Sequence, residues 1–216
     1  MRHAAWLAVG MWAVLLAGCQ VGTKSATFVR PTAPQNYFSG EPVGYPFRRV
    51  ALLPIFNDKY PAENLRVLDA AFNTELTKKS VFEVVPISRS AMESLFGERQ
   101  LNSVENLPAD LMAKLRDRYG VDGILFTDIT HYSPYRPISI GVRAKLIDAS
   151  SGEVRWAFDY LFDSGNPGIA AAAKTYQVRF NQDNQPLPSD GGAVLISPTR
   201  FAKFVANQTY VSLSPK

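Results

Sequence analysis

Two runs of strict alternation separated by a turn constrain the fold of this chain more than any other feature. Ile138, Ile140, Val142, Ala144 and Leu146 alternate with Ser139, Gly141, Arg143 and Lys145. After Ser150-Ser151-Gly152 the pattern resumes in Val154, Trp156, Phe158, Tyr160 and Phe162. Period two over both runs predicts a β-hairpin across 138–163 with one buried face. Both apolar sets are even-numbered, so directly paired positions must sum to an even number. A three-residue loop 150–152 with Gly152 left-handed meets that condition and pairs Ala149 with Glu153. Leu146 then faces Trp156, Ala144 faces Phe158 and Val142 faces Tyr160. Arg143 faces Asp159 on the outer side, a pair worth under about 1 kcal/mol where exposed. A four-residue loop would set Leu146 against the wrong face.

Upstream, the apolar pattern switches between strand and helix. Val50 to Phe56 is a continuous apolar run and reads as a buried central strand, with Pro54 near its end because proline cannot donate to a ladder. From Pro61 the period becomes helical. Leu65, Leu68, Phe72 and Leu76 share a face, with Glu63 in the first turn and Lys78-Lys79 in the last. Val81 to Ile87 reads as a second strand, and Ser88 as the N-cap of a short helix carrying Met92, Leu95 and Phe96. Residues 97–106 are polar and read as a loop. Leu107, Leu111, Leu115 and Tyr119 mark another helix, with Pro108 in its first turn and Gly120 ending it. Ile124 to Ile129 is a third strand. Beyond the hairpin, Asn166-Pro167 opens a helical segment, 181–198 reads as a long loop, and Phe201, Phe204, Val205 and Leu213 indicate a final helix. The alternation predicts an α/β fold: a layered sandwich with a mixed central sheet, helices on it, and the long hairpin.

The amino terminus reads as an address. Met1-Arg2-His3 is a short positive start, and Ala4 to Leu16 is an uninterrupted apolar run. Thirteen residues make roughly 20 Å of helix, too short to span a bilayer comfortably. The run ends in Leu16-Ala17-Gly18-Cys19, which resembles the lipobox of bacterial lipoproteins. The resemblance implies cleavage after residue 18 and acylation of Cys19, the single cysteine of the chain. Two or three acyl chains anchor stably where one does not. Gln20 rather than Asp follows, which implies sorting to the outer membrane, facing the periplasm. Residues 20–47 are rich in Thr, Ser, Pro, Gly and Gln and read as a tether, with Tyr37, Tyr45 and Phe47 as residues able to pin part of it down. The expected organisation is therefore a signal peptide at 1–18, acylated Cys19 and tether to 47, and an α/β domain over 48–216.

From Arg48 to about Phe162 the chain resembles the periplasmic domain of the CsgG-like lipoproteins, the family of the curli secretion channel. Related small folds occur in lipoprotein activators of penicillin-binding proteins, in PelC, and in the amino-terminal domain of TolB. The resemblance is carried by Val50-Ala51-Leu52-Leu53-Pro54, by the helix 62–79 with Phe82-Glu83-Val84-Val85-Pro86, by Ser88-Arg89 to Leu95 with Glu98 and Arg99, and by Asp148 to Val154 inside the hairpin. It departs from the channel at one point. A membrane-crossing strand needs about 9–11 residues, and only Thr130 to Pro137 separates the third strand from the hairpin. The resemblance implies the periplasmic domain without the pore.

Composition argues against most catalytic chemistry. Two His and one Cys argue against a His/Cys metal site, a disulfide framework and most His-based hydrolases, and His131 is the single histidine after residue 18. Asp122 and Asp128 sit at opposite ends of a strand, too far apart for a carboxylate dyad. Asp190-Gly191-Gly192 has no preceding strand and no following Lys-Ser/Thr, so it is not a phosphate loop. Glu98-Arg99 and Asp117-Arg118 read as solvated charges. The formal charge of +4 lacks a basic run, which speaks against nucleic acid. The candidate interaction face is the outer side of the hairpin: Arg143, Lys145, Arg155 and Asp159. The expectation is a non-enzymatic adaptor or assembly subunit of the envelope, with no cofactor or metal. Its partners would be the membrane through Cys19 and a protein partner or further copies of itself. A curli-type secretion-channel subunit and an activator of a peptidoglycan synthase are the alternatives.

Overall fold

The structure, a computed structural model, describes residues 34, 36–39, 47–61, 65–184 and 191–213. The signal segment, Cys19 and most of the tether reading lie outside these residues, as do Glu63 and Tyr45.

Six strands form one mixed, open sheet in the order β1-β6-β5-β4-β2-β3. They are β1 (Tyr37–Ser39), β2 (Arg49–Leu52), β3 (Glu83–Pro86), β4 (Gly123–Ser133), β5 (Ser139–Asp148) and β6 (Val154–Asp163). The helices are α1 (Arg66–Lys79), α2 (Arg89–Phe96), α3 (Leu111–Tyr119), α4 (Pro167–Asn184) and α5 (Pro198–Thr209). β2 runs parallel to both β3 and β4, and all other pairs are antiparallel. The predicted layered α/β sandwich with its mixed sheet is the observed architecture.

Each face of the sheet has its own core. On one face Val50, Leu125, Val142, Leu146, Trp156 and Phe162 pack under α1, α4 and α5 through Phe72, Ile169 and Phe204. Leu68, Phe72 and Leu76, spaced for one helical face, are each about 1% exposed. On the other face Ala51, Leu53, Ile124, Phe126 and Ile147 pack under Met92 of α2 and Leu111 and Leu115 of α3. Ser88 caps α2 as read, its hydroxyl accepting from the Ala91 amide. α3 starts at Leu111 rather than around Pro108. The Pro108 carbonyl instead closes a turn on the Leu111 amide, and Asp110 is the N-cap.

The hairpin holds the expected rows over most of its length: Leu146 opposite Trp156, Ala144 opposite Phe158, Val142 opposite Tyr160, Arg143 opposite Asp159. Its turn differs. The Ala149 amide bonds to the Asp122 carbonyl, and Asp148 pairs with Glu153 instead, its amide donating to the Glu153 carbonyl at 2.9 Å. Asp148 Oδ1 accepts from the Ser150 and Ser151 amides, and Gly152 adopts φ 76°. The loop therefore has four residues, 149–152. The even register survives because β6 carries an extra residue: Leu146 faces Trp156 while Ile147 faces Val154, leaving Arg155 as a bulge.

β4 is longer than read. Pairing with β5 continues past Ile129 to Ser133, across an irregularity at Thr130. Tyr37–Ser39, inside the segment read as a tether, pair with β6 as the outermost strand, and Phe47 is 3% exposed. The segment 181–198 is divided. α4 runs to Asn184, a short 3-10 turn spans Gly192–Leu195, and α5 begins at Pro198.

Candidate functional site

Cross-strand partners share a face, so the registers place the outer side chains in rows. One row reads Asp128, Arg143, Asp159 across β4, β5 and β6. The next reads Phe126, Lys145, Ala157, Phe38, ending on β1. On the other side lies His131, Gly141, Leu161. Helices α2 and α3 cover the β2–β4 part of this face. Over the hairpin Phe38 is 54% and Leu161 55% exposed. Both flank the Arg143–Asp159 pair.

The predicted charges part company here. Arg143 Nε donates to Asp159 Oδ2 at 2.9 Å, with both side chains half-exposed. Lys145 Nζ donates to the Ser103 carbonyl at 2.9 Å, so the 97–106 loop is strapped across the hairpin. Arg155 belongs elsewhere. The bulge carries it to the turn end, where its guanidinium lies 3.5 Å from Glu153 Oε2.

A charge dismissed at the dyad test proves central. Asp128 is 4% exposed and accepts from the Ser103 amide at 3.2 Å and the Ser103 hydroxyl at 2.6 Å. Burial pushes its carboxyl above the ordinary range, and the Ser103 donors and the nearby Arg143 and Lys145 offset that only in part. The sequence held a signal for it: period two puts Asp128 beside Ile124 and Phe126 on a buried face, where a carboxylate needs donors. Asp122 does different work at the far end, accepting from the Arg48 and Arg49 amides. His131 is exposed and shares a 2.9 Å hydrogen bond with Ser139.

A concavity of about 310 Å³ lies beyond the carboxyl ends of β2 and β3, lined by Ile55, Arg66, Asp69, Asn73, Pro86 and Arg89 among others. Sequence reading missed its polar wall. Arg89 donates to Asp69, to the Ile55 carbonyl and to Gln100, while Gln100 donates to the Asn57 carbonyl. These bonds consume the guanidinium and join α1, α2 and the end of β2. Among the described residues no group of three or more His, Cys, Asp or Glu is placed to hold a metal ion.

No protein-family model matches the chain, and no curated protein matches it. Among solved structures there are distant likenesses. It is similar to lipoprotein GNA1162 from Neisseria meningitidis, at TM-score 0.41 and 18% identity, covering 65% of this chain and 99% of that one. It is also similar to PelC from Paraburkholderia phytofirmans, a dodecamer, at TM-score 0.40 and 13% identity, covering 83% and 96%. The LpoB C-terminal domain from Escherichia coli matches at TM-score 0.34 and 15% identity, covering 57% and 86%.

Proposed function

We propose that this chain is a non-enzymatic envelope lipoprotein, an assembly or adaptor subunit held at the periplasmic face of the outer membrane by acylated Cys19. The observation that carries the reading is the outer side of the hairpin. An ion pair, Arg143–Asp159, lies between two exposed apolar side chains, Phe38 and Leu161, on a stretch of sheet that no described helix covers. Apolar anchors beside a charge pair supply contact area and orientation to a protein partner or a second copy. Acylation supplies the rest of the mechanism, because confinement to a surface raises the effective concentration near partners there.

The pore alternative gains nothing from the geometry. The β4–β5 connection is the five residues 134–138, whereas a membrane-crossing strand alone takes about 9–11.

Two experiments test the reading. Palmitate labelling should be lost in Cys19→Ala and the precursor should accumulate under globomycin. A photo-crosslinking residue at Phe38 or Leu161 in intact cells should yield a discrete adduct, either with an envelope protein or with a second copy. Adducts no stronger than those from exposed Val67 on α1 would remove the hairpin face from consideration.

A further inference from the structure

The direction of β1 orients the whole domain. β1 is antiparallel to β6, with Ser39 opposite Trp156 and Tyr37 opposite Phe158. Asn36 continues the pairing: its carbonyl accepts from the Asp159 amide at 3.2 Å, and its side-chain amide donates to the Asp159 carbonyl at 2.8 Å. Followed backwards toward Cys19, the chain therefore moves along β6 toward Asp163. Asp163 faces Ser139, and Ser139 faces Ser133. At Asn36, opposite the middle of β6, the chain is thus headed toward the end where β4 turns into β5. The other end, with the hairpin turn at Ser150–Gly152, lies about 30 Å away along the ten residues of β5.

That near end carries the most exposed of the large hydrophobic side chains described. Tyr135, at the tip of the β4–β5 loop, is 80% exposed, and Arg136 beside it is exposed as well. Pro134 and Pro137 bracket the pair. Across the same end lie exposed Lys59 and Asp58, following β2, and half-buried Asp163 at the end of β6. Tyrosine with a neighbouring cation suits the boundary of a bilayer, where the ring sits among headgroups and the charge meets phosphate. The covalent reach permits the contact. Fifteen residue-to-residue steps separate Cys19 from Pro34, and they cannot exceed about 54 Å at ~3.6 Å each.

We propose that the Tyr135-Arg136 tip is a second, non-covalent membrane contact, resting on the phospholipid headgroup layer and turning the hairpin's charged face sideways, along the membrane plane. This rests on acylation of Cys19. One anchor point alone leaves the domain free to tumble; a second contact at the same end fixes which way the Arg143–Asp159 face looks. The occupant is a lipid surface because the exposed group is a single protruding loop at the tethered end, not a broad patch.

The test uses the full acylated chain in vesicles of phosphatidylethanolamine and phosphatidylglycerol. Acylation occupies Cys19, so an introduced cysteine is the one free thiol. A fluorophore on Pro134→Cys, which keeps Tyr135 in place, is compared with one on Ser151→Cys at the far end, using nitroxide-bearing lipids as quenchers. Quenching at 134 should exceed that at 151 at least about threefold, given an interfacial depth of ~5–10 Å. Adding Tyr135→Ser or Arg136→Glu should lower it by about half or more. Equal quenching at both sites, stronger quenching at 151, or no effect of Tyr135→Ser would overturn the proposal while leaving acylation intact. A mass showing unmodified Cys19 would overturn both.

Discussion

Arg89 Nη2 lies 2.8 Å from Asp69 Oδ2, and the same guanidinium reaches the Ile55 carbonyl. Three elements meet in one side chain that is only 10% exposed. Removing one partner of such a pair leaves the other charge and a backbone carbonyl without compensation. Arg89→Ala should therefore lower unfolding free energy by about 3 kcal/mol, and Arg89→Lys by more than half as much, because an ammonium cannot reproduce the bidentate fork. Urea denaturation measures both. A loss under about 1 kcal/mol for Arg89→Ala would show that the network is decorative.

Asp128 sets a pH dependence of defined sign. Its folded-state carboxyl is raised by burial. A raised acid favours the folded state while protonated, so its contribution is present below the unfolded value near 3.9 and is lost as pH climbs through the folded value. Asp128→Asn removes that titration. Wild type minus variant stability should fall as pH rises above about 4 and flatten once the folded-state carboxyl is ionised. Asp148 supplies the contrast: burial raises it, but the Ser150 hydroxyl and the Ser150 and Ser151 amides outweigh this, so its net shift is downward. Its contribution is lost as pH falls. A difference curve for Asp128→Asn that rises with pH would contradict the assignment.

Gly141 has no room for a side chain. A Cβ there would stand 2.5 Å from Thr130 Oγ1 and 3.1 Å from His131 Cβ. Gly141→Ala should cost about 1–3 kcal/mol. Thr130→Ala in the same chain should recover a measurable part of it, since the nearest obstacle is the threonine hydroxyl. Thermal melts of the two variants settle the point, and absence of any recovery would place the strain in the backbone.

Charge reversal separates the two arginines of the hairpin. Arg143→Glu sets two carboxylates opposite each other beside Phe38 and Leu161 and should abolish the Phe38 photo-adduct. Arg155→Glu acts at the turn end, beside Glu153 and away from the Arg143–Asp159 row, and should leave it within about twofold. Equal effects of both substitutions would mean that the contact surface is not the one described.

What the sequence disclosed and what it withheld follow from the range of the forces involved. Alternation reports which face a residue occupies and requires paired positions to sum to an even number, and the Leu146–Trp156 and Arg143–Asp159 rows agree with the three-residue-loop register because the bulge at Arg155 offsets the fourth residue of the turn. The turn itself could not be read, because the Ala149 amide is claimed by Asp122, 27 positions away. Nothing local links Arg89 to Asp69 across twenty positions. β1 escaped composition because three residues between Pro34 and Gly40 carry too short a pattern, and their pairing depends on the free edge that β6 offers. Lys145 was read as part of an open face, but the Ser103 carbonyl above it comes from a loop whose path is decided by tertiary contacts.

The thin strand β1 also has a mechanical meaning. Any pull transmitted from Cys19 reaches the domain through Asn36 and three paired residues before it reaches the deeply held ring of Phe47. With those residues peeled away, the thirteen steps from Pro34 to Phe47 could span at most about 47 Å. Both helical layers and the five inner strands would stay assembled. With Cys19 held as proposed, the outermost strand is the element such a pull would peel first, ahead of the body of the domain.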